Sequence, residues 1–291
     1  MKHSLTPLIW RKGIHKLIVP VAIAYSIMAY GVVPAYADAV LDPVQSAARP
    51  FGLSIVDPVY QAASTPQAAD FKSNTLSTLN AWIQKNLPEY TEVKNFSSIT
   101  LDPSMLTVKT TQDVTVYFVG EGAGYQNTLG FNTTGVGTKT GNPQLIFPNA
   151  SSNISSYIGN PSAPPSTSAP LMPGDFVNLG TMPAGTKLDF FLIANGASGG
   201  TNVFSTTTSA NVDGIRHVVA YTSQDSPYLL IGFEDMLGGG DKDYNDVLIA
   251  INGTLTTAPE PSTLITLGSF LLLAIYLKRR QLNHTLKDAF L

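Results

Sequence analysis

The sequence predicts a mainly β protein, an antiparallel β-sandwich of jelly-roll-like type with a short helical segment on its N-terminal side. Two observations carry this prediction. From Thr107 onward, short runs of β-branched and aromatic residues alternate with Gly, Asn and Pro, which is the pattern of strands joined by turns. Runs of helical period are absent from that part of the chain, and several short strands without intervening helices form sandwiches or jelly rolls.

Strands are expected at intervals through the region after Thr107, and we place the sandwich domain at 107–254. Turn residues at 221–227, YTSQDSP, separate two of the strands. The glycine-rich stretch at 120–130 is expected to be a loop between strands. The predicted strands are 113–119, 143–147, 175–179, 186–194, 215–222, 227–234 and 246–252.

A helix is predicted at 70–86, before the first of these strands. Apolar side chains recur there near helical period, and Leu87-Pro88 ends the pattern. The periodic positions are Phe71, Leu76, Leu79 and Ile83. The residues before the helix are rich in Pro, Ala and Ser, so we interpret 38–106 as a linker that carries one short helical segment.

Composition excludes several classes of function. The chain has no cysteine, which removes thiol catalysis, cysteine-ligated metal centres and disulfides. Residues 38–258 carry 18 acidic and 9 basic residues, and an acidic region of this kind argues against a nucleic-acid partner, whose phosphates require a positive surface. The same region has a single histidine, His217, so one chain cannot form a multi-histidine metal site there.

The N-terminal residues 1–37 have the pattern of a signal peptide. Basic residues precede a long apolar run, which ends in Ala35-Tyr36-Ala37, the small-x-small pattern that signal peptidase accepts. We predict cleavage after Ala37, and the alternative is an uncleaved membrane anchor. Both alternatives export the residues that follow.

The C-terminal residues 255–291 carry three ordered elements: Pro259-Glu260-Pro261, an apolar segment at 262–277, and a basic cluster that would stay on the cytoplasmic side of a membrane. Their order resembles the PEP-CTERM sorting signal of Gram-negative bacteria. The resemblance implies a transient stage in the inner membrane, processing by an exosortase-type enzyme, and delivery to the cell surface or extracellular matrix. The alternative is a plain membrane anchor at the C-terminus.

The segment at 233–247, FEDMLGGGDKDYNDV, carries the clearest chemistry. It places five carboxylates and one Asn between two predicted strands, with three glycines and a single Lys. Carboxylates this close repel one another, so they take up protons or recruit a cation. Oxygen ligands at alternate positions suit Ca²⁺, which accepts several oxygens in flexible geometry. We predict a Ca²⁺ site with the ligands Glu234, Asp235, Asp241, Asp243, Asn245 and Asp246.

This segment is not an EF-hand. Counted from Asp241, the sixth residue is Asp246 instead of Gly and the twelfth is Asn252 instead of Glu. Mg²⁺ is disfavoured because cages made only of protein atoms rarely meet its octahedral demand. Glu121 is a further candidate ligand. The alternative to a metal site is a solvated acidic hairpin in which Asp and Asn serve as turn formers.

Several uncommon sequence words also occur in a fixed order. They are GEGAGYQNTLGF at 120–131, LIFPNA at 145–150, FFLIANG at 190–196 and the acidic segment at 233–247. Together they resemble the bacterial family called domain of unknown function 4114, over about 108–253. The resemblance implies a secreted β-sandwich domain that is often found in surface proteins with sorting signals, and it implies no activity.

These features predict an exported, non-enzymatic protein of the cell surface or the exopolysaccharide (biofilm) matrix, with a structural or adhesive role. An alternative is a lectin-like module that binds polysaccharide with the help of calcium and of Tyr125, Tyr228 and Tyr244. A secreted glycoside-active enzyme is less favoured. The adjacent carboxyls Glu234 and Asp235 would point to opposite faces of a strand, whereas glycosidases need two carboxyls that face one cleft.

Overall fold

A computed structural model of the chain describes residues 39–94, 100–135, 141–153, 163–222, 226–253 and 255–256. Within these ranges, β-strands form two antiparallel sheets that do not close into a barrel, and one helical segment precedes them. The predicted mainly β fold with antiparallel sheets and a short N-terminal helical segment is therefore confirmed. The predicted signal peptide, with Ala35 and Ala37, and the predicted sorting signal from residue 257 onward, with Pro259, Glu260 and Pro261, lie outside the described residues.

The strands differ widely in length, from two to nine residues. In chain order they are β1 Thr100–Leu101, β2 Thr107–Val108, β3 Gln112–Gly120, β4 Thr128–Thr134, β5 Gln144–Phe147, β6 Phe176–Met182, β7 Lys187–Ile193, β8 Val203–Ser205, β9 Val218–Thr222, β10 Leu229–Phe233, β11 Val247–Ile251 and β12 Leu255–Thr256. The loop prediction for 120–130 is wrong from Thr128 onward, because β4 begins there.

The first sheet has the strand order β1-β9-β10-β11-β3-β6, and the second has β12-β2-β7-β4-β5 with β8 beside β7. Strands β10 and β11 are direct neighbours, and Phe233 pairs with Val247 where they meet. The acidic segment found in the sequence is thus the connection between two central strands of the first sheet.

The main core lies between the two sheets. Alternate residues of β11, Val247, Ile249 and Ile251, pack into it, while Leu248 and Ala250 belong to a second core on the outer face of the same sheet. Successive side chains of a strand point to opposite faces. Both faces of the first sheet are therefore buried, which explains why β11 is a continuous apolar run instead of an alternating one.

The helical segment covers that outer face. It consists of α1 (Pro66–Asp70), a π-helical turn (Phe71–Thr75) and α2 (Leu76–Asn86). The Phe71 ring stacks on Tyr117 of β3 with 4.2 Å between ring centroids. The four predicted periodic side chains are all buried, so the predicted helix is confirmed. It starts earlier than predicted because Thr65 caps the N–H of Ala68 and Pro66 occupies the first turn.

The residues before the helix also pack on the sandwich. Tyr60 exchanges backbone hydrogen bonds with Phe176 at 2.9 and 3.0 Å, and Val59 is buried in the main core. Both cores and both sheets lie within 39–256, so a protein of residues 38–258 contains every packed element described here. None of the helices in the described ranges is long and apolar enough to cross a membrane.

Candidate metal centre

The acidic loop, defined here as residues 234–246, joins β10 to β11. Three consecutive glycines with positive φ values turn the chain back on itself. At the last of these, Gly240, φ is 49° and an added Cβ atom would lie 2.6 Å from Oε2 of Glu234. Only glycine leaves room for this close approach, which brings the residues after the turn against the Glu234 carboxylate.

Three carboxylates meet inside the loop. Oxygen atoms of Glu234, Asp241 and Asp243, called here the three-carboxylate cluster, all lie within 4.8 Å of one another. Glu234 and Asp243 are buried, whereas Asp241 is exposed. Two oxygens that each bind one Ca²⁺ at roughly 2.3–2.6 Å can be at most about 5 Å apart. The spacing of the cluster therefore fits a shared ion.

Backbone N–H groups hold the two buried carboxylates in place. The N–H of Tyr244 donates to Oε1 of Glu234 at 3.0 Å. Asp243 accepts from the N–H of Asn245 at 3.2 Å through Oδ1 and from the N–H of Tyr90 at 2.9 Å through Oδ2. The carboxylates are thus oriented before any ligand binds, which lowers the cost of ordering a metal site.

Without a cation, the cluster is electrostatically unfavourable in its ionised form. Burial, reinforced by the neighbouring carboxylates, raises the pKa of Glu234 to about 8. Burial and the charge of Asp241 likewise raise the pKa of Asp243 to about 7. A divalent cation would reverse this effect, because it favours the ionised form of every carboxylate that it contacts.

Two of the six predicted ligands form a separate pair. The N–H of Asp235 donates to Oδ2 of Asp246 at 2.8 Å, and Nδ2 of Asn127 donates to Oδ2 of Asp235 at 2.7 Å. Burial and the charge of Asp235 raise the pKa of Asp246 well above its usual range. The predicted ligand set is therefore divided into the three-carboxylate cluster and this acidic pair.

The sixth predicted ligand, Asn245, faces a part of the chain that the sequence did not indicate. Its Nδ2 donates to Oε2 of Glu89 at 3.2 Å. Glu89 follows α2 and lines the same pocket as Glu234 and Asp241. Sequence reasoning missed Glu89 because 156 residues separate it from Asn245, and nothing in its local sequence marks it as part of the site.

Glu121 lies at the edge of the site. Its Oε1 accepts the N–H of Ser152 at 3.0 Å, and burial raises the pKa of its carboxyl to about 7. Glu121 does not belong to the three-carboxylate cluster, although the charges of Asp235 and Glu89 act on it. The structure thus does not bring this candidate ligand into the three-carboxylate cluster.

The single histidine of residues 38–258 contacts the start of the acidic loop. His217 is fully buried, and its ring stacks on Phe204 with a centroid distance of 3.7 Å. Its Nε2 lies 2.9 Å from Oδ2 of Asp213, and the N–H of Glu234 donates to its backbone oxygen at 2.8 Å. Asp213 also accepts the N–H of Gly238 at 2.9 Å, so the loop is tied at two places to the residues that precede β9.

Carboxylates of the acidic loop, among them Glu234 and Asp241, line a pocket of about 600 Å³. Tyr90 and Tyr125 line it and are 82% and 44% exposed. The other two tyrosines predicted for a saccharide surface are placed elsewhere: Tyr244 is buried and Tyr228 packs against the outer core. Of the three tyrosines named for a lectin-like module, Tyr125 therefore lines the pocket, whereas Tyr228 and Tyr244 contribute to the apolar packing of the outer core.

Comparison with known proteins gives one match. Residues 182–254 match the profile of the family described as Domain of unknown function (DUF4114), and the predicted resemblance is confirmed over this range. The matched range includes the whole acidic loop but neither Glu89 nor Glu121. No curated protein and no solved structure matches the chain significantly.

Proposed function

We propose that this chain is an exported protein of the cell surface or extracellular matrix, with a structural or adhesive role, and that Ca²⁺ stabilises its β-sandwich. The observation that carries the calcium proposal is the three-carboxylate cluster, whose oxygens lie within 4.8 Å of one another. All of its donor atoms are oxygens. Ca²⁺ prefers oxygen ligands, whereas most transition metals prefer nitrogen or sulfur ligands.

The surroundings of the cluster favour a bound cation over a solvated hairpin. Two of its three carboxylates are buried and hydrogen-bonded by backbone N–H groups. Within the described residues, Lys242 of the loop forms an ion pair with Glu92 at 3.8 Å and not with a carboxylate of the cluster. A buried ionised carboxylate requires a nearby positive charge, and Ca²⁺ would supply it.

A thermal melt of residues 38–258 in calcium and in chelator tests the proposed stabilisation. Calcium at 100 times its dissociation constant would stabilise the native state by about 2.7 kcal/mol. For a domain of this size we expect a rise in Tm of roughly 5–10 °C. An unchanged Tm at millimolar calcium would contradict the proposal and leave an acidic hairpin without a metal.

Export and surface sorting rest on the two ends of the sequence. The signal-peptide pattern ends at Ala37, and Pro259-Glu260-Pro261 precedes the apolar segment at 262–277. We expect that deleting 259–291 releases the protein without its normal surface retention. Identical cell fractionation of the full and truncated chains would contradict the sorting proposal, which involves signal peptidase and an exosortase-type enzyme.

A second candidate function is calcium-dependent binding of a polysaccharide such as exopolysaccharide. The pocket favours it, because a volume of about 600 Å³ and the exposed rings of Tyr90 and Tyr125 suit a sugar that stacks on aromatic side chains. Adding polysaccharide to the same melt separates the two candidates. A further rise in Tm that requires calcium supports binding, and no further rise favours the purely structural role.

A further inference from the structure

We propose that two copies of this chain exchange their N-terminal segments, so that each segment completes the sandwich of the other copy. The segment comprises residues 39–61 and is called here the N-terminal clamp. It precedes the helical segment and packs on the sandwich without belonging to strands β1 to β12. The inference goes beyond the proposed function and stands without the calcium site.

The clamp covers one edge of each sheet. Strand β6 ends the first sheet and β5 ends the second. The N–H of Val56 donates to the backbone oxygen of Leu145 in β5 at 3.0 Å, and the N–H of Leu145 donates to that of Ser54 at 2.8 Å. Tyr60 exchanges hydrogen bonds with Phe176 of β6 in the same way. Without the clamp, both edges would present unpaired backbone groups, which are templates for another strand.

Few side chains hold the clamp in place. Within residues 39–61, all of which the structure describes, only Asp42 and Val59 are buried. The large apolar side chains of Leu41 and Phe51 are 52% and 60% exposed. Main-chain hydrogen bonds and Val59 therefore provide most of the attachment, and the sandwich of any other copy offers the same partners.

A buried carboxyl pair favours opening of the clamp. Oδ1 of Asp42 accepts the N–H of Val44 at 2.9 Å, but its Oδ2 is buried and makes no hydrogen bond within the described residues. Asp175 accepts the N–H of Ala62 at 2.8 Å. Burial and then the charge of Asp42 raise the pKa of Asp175 to about 7, and the opposing effect of Lys72 is smaller. Opening the clamp separates the two carboxyls and returns Oδ2 of Asp42 to water.

A strained hinge joins the clamp to α1. Ala63 has a φ of 62°, a left-handed conformation that is unfavourable for a residue with a Cβ atom. The N–H of Ser64 closes this turn by donating to the backbone oxygen of Gln61 at 3.2 Å. In an exchanged dimer the hinge extends toward the other copy, and Ala63 leaves the left-handed region. Short hinges under strain favour exchange of the segment that they carry.

A second copy is the partner that these contacts select. An exchanged clamp makes the same hydrogen bonds to β5 and β6 and buries the same Val59, because the two sandwiches are identical. The hinge is the element that differs between the closed monomer and the exchanged dimer. Relief of its strain therefore acts against the entropy lost when two chains associate.

Disulfide trapping detects the exchange, because the chain has no cysteine of its own. Ser54→Cys and Gln144→Cys are made in separate proteins of residues 38–258. Ser54 and Gln144 precede the bridged residues Ile55 and Leu145 of two parallel segments, so they lie side by side. The two proteins are mixed unfolded and refolded together in chelator, so that slow opening of a closed clamp does not limit the result. We expect a disulfide between positions 54 and 144 that joins two chains.

The control pairs Ser54→Cys with Lys85→Cys, an exposed position on α2 that reports random collision of two chains. Linked peptides are counted by mass spectrometry after proteolysis. We expect about tenfold more linkage of 54 to 144 than of 54 to 85, since docking holds the first pair at a high effective concentration. Equal yields, or no linkage of 54 to 144, would overturn the proposal.

Two substitutions test whether the hinge drives the exchange. Ala63 is exposed, so Ala63→Gly relieves the left-handed strain and Ala63→Val increases it without changing the core. Dimerisation constants are measured by analytical ultracentrifugation in chelator. Because a dimer contains two hinges, we expect Ala63→Gly to weaken dimerisation by about tenfold or more and Ala63→Val to strengthen it.

Equal dimerisation constants for the three proteins, or a protein that stays monomeric in every variant, would contradict the exchange. All of these measurements are made in chelator. Their failure therefore leaves the calcium proposal untouched, and a missing calcium site leaves the exchange untouched.

Discussion

Asp243→Asn is expected to abolish the calcium-dependent rise in Tm while leaving the calcium-free protein as stable as before, or more stable, at pH 8. Asp243 belongs to the three-carboxylate cluster, and burial raises the pKa of its carboxyl to about 7. At pH 8 the unsubstituted side chain is therefore ionised at a cost in the absence of a cation. Asn keeps the shape and one acceptor, so it retains a bond from the N–H of Tyr90 or of Asn245 but not both. We expect the relief of the buried charge to offset this lost hydrogen bond.

The measurement is a set of four melts, unsubstituted and variant, each in calcium and in chelator. We expect calcium to raise the Tm of the unsubstituted protein by roughly 5–10 °C and to leave the Tm of the variant unchanged. In chelator, the Tm of the variant should be at least as high as that of the unsubstituted protein. Glu92→Gln is the control and should behave like the unsubstituted protein. If the residue is only a turn former, Asp243→Asn would lower Tm equally in both conditions, which contradicts a metal site.

The second large effect is expected from pH. In chelator, Tm should be highest near pH 4 and should fall by roughly 5 °C or more by pH 8.5. Burial raises the pKa of Glu234 to about 8 and of Asp243 to about 7 in the folded protein. A carboxyl whose folded pKa lies above its unfolded value stabilises the fold below the unfolded pKa, and this stability is lost as pH rises through the folded value.

Calcium should remove the part of this pH dependence that comes from the three-carboxylate cluster, because a bound cation favours the ionised carboxylates. A residual part is expected from Glu121 and Asp246, which lie outside the cluster and whose pKa values burial also raises. Another residual part is expected from Asp175, which lies outside the loop and whose pKa burial raises to about 7. It accepts the N–H groups of Ala62 and Met172 at 2.8 and 2.7 Å. An equal fall in Tm with and without calcium would show that the cluster does not bind the ion.

The fold was predictable where strands are long and apolar. Strands β10 and β11 were expected at 227–234 and 246–252 and lie at Leu229–Phe233 and Val247–Ile251. Strand β4 was missed because its Gly, Asn and Thr residues resemble a loop. Gly130 is required there, since an added Cβ atom would lie 2.3 Å from the ring of Phe191 on the neighbouring β7.

Strands of two or three residues, such as β1 and β8, were also missed, because they are too short to show any periodicity. Their extended conformation depends on pairing with a longer strand: β1 pairs with β9, and β8 pairs with β7. Such elements form through tertiary contacts, which a local sequence pattern does not carry.

The site was predictable in its position and residue types but not in its internal arrangement. The density of oxygen ligands between two predicted strands located the acidic loop, where the structure brings Glu234, Asp241 and Asp243 together. Its division into two groups depends on the glycine turn that brings Asp241 and Asp243 back to Glu234, and on Asn127, which holds Asp235. Glu89 is 156 residues away from Asn245 in the sequence, so only the folded structure shows that the two residues are in contact.

A crystal structure of residues 38–258 grown with calcium tests the central claim most directly. We expect one ion among the oxygens of Glu234, Asp241 and Asp243, with metal–oxygen distances of roughly 2.3–2.6 Å. Carboxylates that are hydrogen-bonded to one another at millimolar calcium, with no ion between them, would contradict it.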